Sequence, residues 1–200
     1  MPVPSLILAS QSPARRKLLE AAGLTFAVEP SAFDEDSIRC TDPQQLVETL
    51  ALKKAEVVAA KHPEPVVVLG ADSLFVMDGE IYGKPRDAAD SLERLQKMQG
   101  NMGILYTGHA AIDTQQQRQI SCVGITKVYF APMSLADIRR YIATGEPLAC
   151  AGSFALDGYG GLFIERIDGC HSNVIGISLP LVRDMLGQLG YSVSELWHAS

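Results

Sequence analysis

The stretch Pro65-Val66-Val67-Val68-Leu69-Gly70 constrains the fold more than any other part of the chain. An apolar run without polar alternation is the pattern of a strand covered on both faces, which requires helices packed on a sheet. Gly70-Ala71-Asp72-Ser73 reads as its end, and Leu74 to Met77 with Glu80 to Tyr82, joined at Asp78-Gly79, predict a small hairpin. Upstream, Leu6-Ile7-Leu8-Ala9 predicts a strand turning at Ser10-Gln11-Ser12-Pro13 into a helix, with Ser12 as N-cap, Pro13 at the first helical position and Gly23 as the stop. Asp42 caps a second helix over 43–61, with Leu46, Leu50, Ala51, Lys54, Ala55 and Val58 on one face. Asp87 caps a third helix to about Met98. Met102 to Asp113 and Gln119 to Phe130 predict a long hairpin around Thr114-Gln115-Gln116-Gln117. Ser134 caps a helix to about Thr144, Leu162 to Ile167 is a strand, and Leu179 to Leu189 is the last helix. Interleaved βα units with a long hairpin imply an α/β fold: a mixed twisted sheet with helices packed on it, in one domain over residues 1–200.

Composition narrows the function classes. The net charge of −6 argues against a nucleic-acid polymer as partner, since such binders carry a basic surface. It leaves room for a nucleotide, which needs only a local positive cluster. No apolar run approaches the ~20 residues that span a bilayer, so no membrane is expected. Met1 to Leu8 lacks a basic leader and runs into a strand pattern, so the cytoplasm is the expected compartment. Cys40, Cys122, Cys150 and Cys170 are scattered, with no CxxC pair, and are expected to be free thiols. His62, His109, His171 and His198 are too dispersed to build a metal site. Trp197 is read as a packing residue and Asp113 as a strand-end residue.

Three segments hold polar residues that a fold alone does not demand. Ser10-x-Ser12-Pro13-x-Arg15-Arg16-Lys17 places backbone N–H groups, a helix dipole and a guanidinium at one turn, which suits a phosphate. Taken alone, it is equally an ordinary capped helix with solvated basic residues. Asp72 follows the most apolar strand, where α/β proteins place ligands, and could bind a metal or act as a general base on water. Alone, a turn or capping role explains it better. Lys84, pinned between Gly83 and Pro85, suits a phosphate contact, although an exposed lysine is the commoner explanation.

Jointly the segments are much more specific. Leu8-Ala9-Ser10-Gln11-Ser12-Pro13-Ala14-Arg15-Arg16, Leu50-Ala51-Leu52-Lys53-Lys54-Ala55, Gly70-Ala71-Asp72-Ser73, Gly83-Lys84-Pro85-Arg86-Asp87 and Cys150-Ala151-Gly152-Ser153-Phe154 appear in an order that resembles the Maf family over nearly the whole chain. Tyr106-Thr107-Gly108 and Pro147-Leu148-x-Cys150-Ala151-Gly152-Ser153-Phe154 resemble its 7-methyl-GTP pyrophosphatase branch rather than the branch acting on dTTP and UTP.

The resemblance implies a fold like that of the inosine triphosphate pyrophosphatases, a homodimer, a nucleoside triphosphate substrate cut to monophosphate and pyrophosphate, and a divalent metal, Mg2+ or Mn2+. It implies Asp72 as proton acceptor and Ser10, Arg15, Lys54 and Lys84 as phosphate contacts. Asp34 and Glu35, with Asp72, would stand near the metal. Its specificity positions fall on Ala14, Ser73 and Asp157, where the 7-methyl-GTP branch has tryptophan, glutamine and glutamate; only the acidic character at Asp157 is kept. Competing readings are a dTTP/UTP pyrophosphatase, a nucleotide-binding regulator of septum formation without turnover, and a phosphatase releasing single phosphates. Asp72, Lys54 and Lys84 together favour an enzyme, because binding alone needs no placed base.

Overall fold

A computed structural model describes residues 4–197 and divides the chain into two compact units. The first comprises the residues up to Asp72, Thr107–Gly124 and those from Gly176 onward; the second comprises Ser73–Tyr106 and Ile125–Ile175. The strands are β1 (Ser5–Leu8), β2 (Ala27–Val28), β3 (Val66–Met77), β4 (Glu80–Tyr82), β5 (Met102–Asp113), β6 (Arg118–Phe130) and β7 (Ile164–Asp168). The helices are α1 (Pro13–Ala21), α2 (Pro43–Ala59), α3 (Ala88–Met98), α4 (Leu135–Ala143), α5 (His171–Ile175) and α6 (Leu179–Gln188). Strand order is β2-β1-β3-β5-β6-β7, with β4 paired to β3. β1 is parallel to β2 and β3, while β3–β4 and β6–β7 are antiparallel, so the sheet is mixed as expected.

In the first unit the apolar run is covered on both faces. Val67, Leu69 and Ala71 pack with Leu6 and Leu8 against Leu19 of α1 and Val182, Met185 and Leu186 of α6. Val66 and Val68 pack with Ile7 and Ala9 against Ala51, Ala55 and Val58 of α2. This split follows from the two-residue alternation of side chains along a strand. Fully burying each of the valine, leucine, isoleucine and methionine side chains contributes roughly 1.5–3 kcal/mol. The second unit closes around Phe75, Phe130 and Phe154, whose rings meet edge to face at centroid distances of 5.0–5.8 Å.

Several local expectations change. The central strand does not end at Gly70 but continues through Asp72 to Met77. Asp72 therefore lies within a strand, because its carboxylate has an ionic partner there and its backbone remains in the ladder. Val47 rather than Leu46 is the first buried residue of α2. The segment around Leu162, 81% exposed, is a 3-10 turn, and β7 begins only at Ile164. α5 was not foreseen. Asp113 does end its strand, but it is also buried. It accepts hydrogen bonds from the Gln115 and Gln116 amides at 2.9 Å and from the Tyr191 hydroxyl at 2.6 Å, tying the hairpin turn to the C-terminal segment. Trp197 is half exposed and lies over Gly23. All four cysteines are free. No helix among the described residues is long and apolar enough to cross a membrane. His198 lies outside the described residues.

Candidate active site

α1 starts as its sequence dictates. Ser12 caps it by accepting from the Arg15 amide at 3.4 Å, and Pro13 supplies the fixed φ of the first position. The preceding turn folds around Ser10, whose Oγ accepts from the Ser12 amide at 3.2 Å. One helical turn on, Arg15 points back. Its Nη1 donates to Ser10 Oγ at 3.2 Å and to the Ala71 carbonyl at 2.8 Å, and its Nε donates to the Gly176 carbonyl at 2.8 Å. Three chain segments thus fix one guanidinium. Gly176 has φ +136°, and a Cβ there would crowd the Arg15 side chain at 3.3 Å.

Lys54 reaches Asp72 because two glycines let a helix backbone lie on the sheet. A Cβ at Gly70 would collide with the Ala51 carbonyl, and one at Gly108 with the Val47 carbonyl. Lys54 is one turn beyond Ala51 on the same helix face, and Asp72 is two residues beyond Gly70 on the same strand face. The contact places Lys54 Nζ 2.6 Å from Asp72 Oδ1. The same ammonium is 2.7 Å from Glu35 Oε1. The Lys54 and Asp72 side chains are only 10% and 11% exposed, whereas Glu35 is 54% exposed. Asp72 and Glu35 also act on Arg15. Desolvation lowers the guanidinium pKa, and the two carboxylates oppose that shift, Asp72 the more strongly.

Ser10, Arg15, Lys54, Asp72 and Glu35 are therefore linked within the first unit. Asp34 acts locally, its Oδ1 accepting from the Asp36 amide at 3.2 Å and capping the short turn Glu35–Ser37 that carries Glu35. Ala14 is half-buried on α1, and Ser73 is half-buried directly after Asp72. Lys84 and Asp157 belong to the second unit, and both are exposed. There two of the motifs meet, as the Gly152 amide donates to the Gly83 carbonyl at 3.2 Å. Burial pushes the Cys150 thiol up to about 11, with Glu146 and Asp157 adding to the shift and Lys84 opposing it.

Sequence reasoning missed the supports of these groups. Arg94 donates to the Gly83 carbonyl at 2.7 Å and pairs with Asp90 at 2.8 Å, bracing the turn before Lys84. The i,i+4 spacing of Asp90 and Arg94 is visible in the chain and would have flagged it. His109 is fully buried, accepts from the Ser178 amide at 2.7 Å through Nε2, and has its pKa pushed down to about 4 by burial and by Arg15. It is a neutral core histidine, which no spacing rule reveals.

Among the described residues, no three Asp, Glu, His or Cys side chains are grouped to hold a metal by themselves. The donor set nevertheless suits Mg2+ or Mn2+. Two carboxylates already share one cationic partner, and magnesium is usually held by one or two carboxylates together with substrate phosphates.

Comparisons with known proteins agree with the motif order. Proteins similar to this chain include a nucleoside triphosphate pyrophosphatase of Synechococcus sp., 57% identical over 98% of this chain and 99% of that protein. A nucleoside triphosphate pyrophosphatase of Nostoc punctiforme is 53% identical over 98% of this chain and 100% of its own length. A HAM1 protein structure from Coxiella burnetii is a distant partial match, 17% identical with a TM-score of 0.41, covering 66% of this chain and 75% of that one. The family model described as Maf-like protein matches residues 5–189, and with the two relatives it shows that this chain belongs to the Maf family.

Proposed function

We propose that this chain hydrolyses a nucleoside triphosphate between its α and β phosphates, releasing a nucleoside monophosphate and pyrophosphate. The observation that carries the reading is the Lys54–Asp72 pair at 2.6 Å, which joins α2 to β3 in a buried position with Glu35 and Arg15 close by. Burying two charges costs several kcal/mol per ion before their attraction offsets it, and an apolar pair of similar volume would stabilise a fold as well. Charges retained at such a place fit chemistry better than architecture. The names of the two relatives from Synechococcus sp. and Nostoc punctiforme support the same reaction.

The residues divide the work. Lys54 donates a hydrogen bond to Asp72 and forms an ion pair with Glu35, and with three N–H groups it keeps a donor that suits a phosphate oxygen. Arg15 and Ser10, held at the exit of β1 and the start of α1, add a guanidinium and a hydroxyl for the same anion. Lys54 holds Asp72 by Oδ1, so Oδ2 is the oxygen to take a proton from water. The water oxygen then bonds to the α-phosphorus as the bond to the α–β bridging oxygen breaks, and pyrophosphate leaves with the electron pair. A divalent cation held by Asp72 and Glu35, with Asp34 in the same segment, would neutralise the triphosphate and its leaving group. Lys84 is assigned to the phosphates and Asp157, Ala14 and Ser73 to the base. These assignments rest on motif resemblance. The base we propose is 7-methylguanine, whose delocalised positive charge an acidic Asp157 would favour.

The test is a panel of triphosphates, including GTP, 7-methyl-GTP, dTTP and UTP, with Mg2+ or Mn2+, reading pyrophosphate and orthophosphate separately. Pyrophosphate with monophosphate is expected. Orthophosphate with diphosphate alone, or binding without turnover, would overturn the reading.

A further inference from the structure

Residues 155–160 read Ala-Leu-Asp-Gly-Tyr-Gly and present Asp157, exposed, between two anchored ends. Both ends are tied to the segment 141–146. Tyr141 of α4, 3% exposed, donates its hydroxyl to Glu146 Oε1 at 2.8 Å, while its oxygen accepts from the Ala155 amide at 3.1 Å. At the other end Glu146 Oε2 accepts from the Tyr159 amide at 3.0 Å, and Oε1 accepts from the Gly160 amide at 2.9 Å. Gly158 packs so closely on this carboxylate that a Cβ there would collide with Oε2. Hydrogen bonds from amides to a carboxylate are charge-assisted and stronger than neutral ones. A loop held beforehand loses less conformational freedom when its ligand arrives. Tyr141 and Glu146 thus brace the loop at both ends, and Leu156 and Asp157 stand between the braces.

We propose that Glu146, backed by Tyr141, is a positioning residue that sets base preference by holding the loop that presents Asp157. The proposal rests on the reading of Asp157 as the contact to a cationic base. The experiment uses the full chain and five variants: Glu146→Ala, Glu146→Gln, Tyr141→Phe, Asp157→Asn and the Glu146→Ala, Asp157→Asn double variant. Amide hydrogen exchange of the loop is followed without nucleotide, and KM and kcat are measured for 7-methyl-GTP and GTP. In Glu146→Ala, exchange at Tyr159 and Gly160 should accelerate about tenfold or more. KM for 7-methyl-GTP should rise by more than kcat falls, and the preference over GTP should drop about fivefold. Glu146→Gln, which keeps one carbonyl acceptor, should fall between wild type and Ala. In the Asp157→Asn background, Glu146→Ala should leave the preference unmoved. If the Ala variant does not fold, Glu146→Gln and Tyr141→Phe carry the same test. Unchanged exchange at Tyr159 and Gly160 would overturn the brace. Faster exchange with unchanged preference, where Asp157→Asn alone lowers it, would overturn the positioning role. Wild-type preference in Asp157→Asn would overturn the base reading and, with it, the role given to Glu146.

Discussion

The two units carry charge in opposite ways. In the first, Lys54 and Asp72 are almost entirely buried on a helix and a strand, and Arg15 is held by carbonyls of distant segments. In the second, Lys84 and Asp157 stand exposed on loops, and buried Tyr141 and half-buried Arg94 act one step behind them. Groups fixed on regular elements are held to tighter geometry than groups on loops. The difference teaches a division of labour. On the reading proposed above, the reaction would fall to the framework of the first unit and base choice to the loops of the second, where substitution costs the fold little.

Removing one partner of the buried pair should have the largest effect. Lys54→Met leaves Asp72 charged and buried without its ammonium, and should cost about 3 kcal/mol or more in urea unfolding as well as most turnover. Lys84→Ala, an exposed change, should leave unfolding within about 0.5 kcal/mol of wild type. Equal destabilisation by the two would break the comparison.

The first unit should also lose stability in acid. His109 is neutral above pH 6.5 in both folded and unfolded chains. Between its unfolded value near 6.5 and its folded value of about 4, only the unfolded chain takes up the proton. Stability therefore falls as pH drops through that window, by about 3 kcal/mol at its acid end. Urea midpoints measured across the window should slope accordingly, and His109→Gln should flatten the slope; equal slopes would reject the role.

Asp157→Asn sharpens the other side of the comparison. It should reduce the preference for 7-methyl-GTP over GTP by about 5- to 150-fold, corresponding to ~1–3 kcal/mol, with little change in unfolding. Strong activity on dTTP or UTP with none on the methylated nucleotide would move the chain to the other branch.

The smallest effect should come from half-buried His62, whose pKa is raised by hydrogen bonds to Glu64 and Glu29. Its contribution is present below the ordinary histidine value and lost as pH rises through the raised one. His62→Ala should therefore lower stability slightly at about pH 5.5 and not at all in alkaline solution.

Much of this was legible in the chain. The caps at Ser12, Asp42, Asp87 and Ser134 each form as their residue types demand. The apolar run at Val66 is covered on both faces, and Ser10, Arg15, Lys54, Asp72 and Glu35 are linked. What the sequence hid depends on tertiary contact. Asp72 looked like a strand terminus because a carboxylate inside an apolar strand is unfavourable until a distant lysine meets it. Gly70 and Gly108 looked like a strand end and a motif letter, yet each admits the backbone of α2. Glu146 has no periodicity to mark it, since its partners are backbone amides of a loop.

Whether the buried carboxylate of the first unit performs the hydrolysis is read from pyrophosphate release by Asp72→Asn. The amide keeps the shape of the side chain but is far too weak a base to accept the water's proton, while Lys54 retains Glu35 as its ionic partner. If Asp72 is the base, turnover falls by ~10²-fold or more while the urea midpoint stays close to wild type. Turnover near the wild-type rate in that folded variant would contradict it.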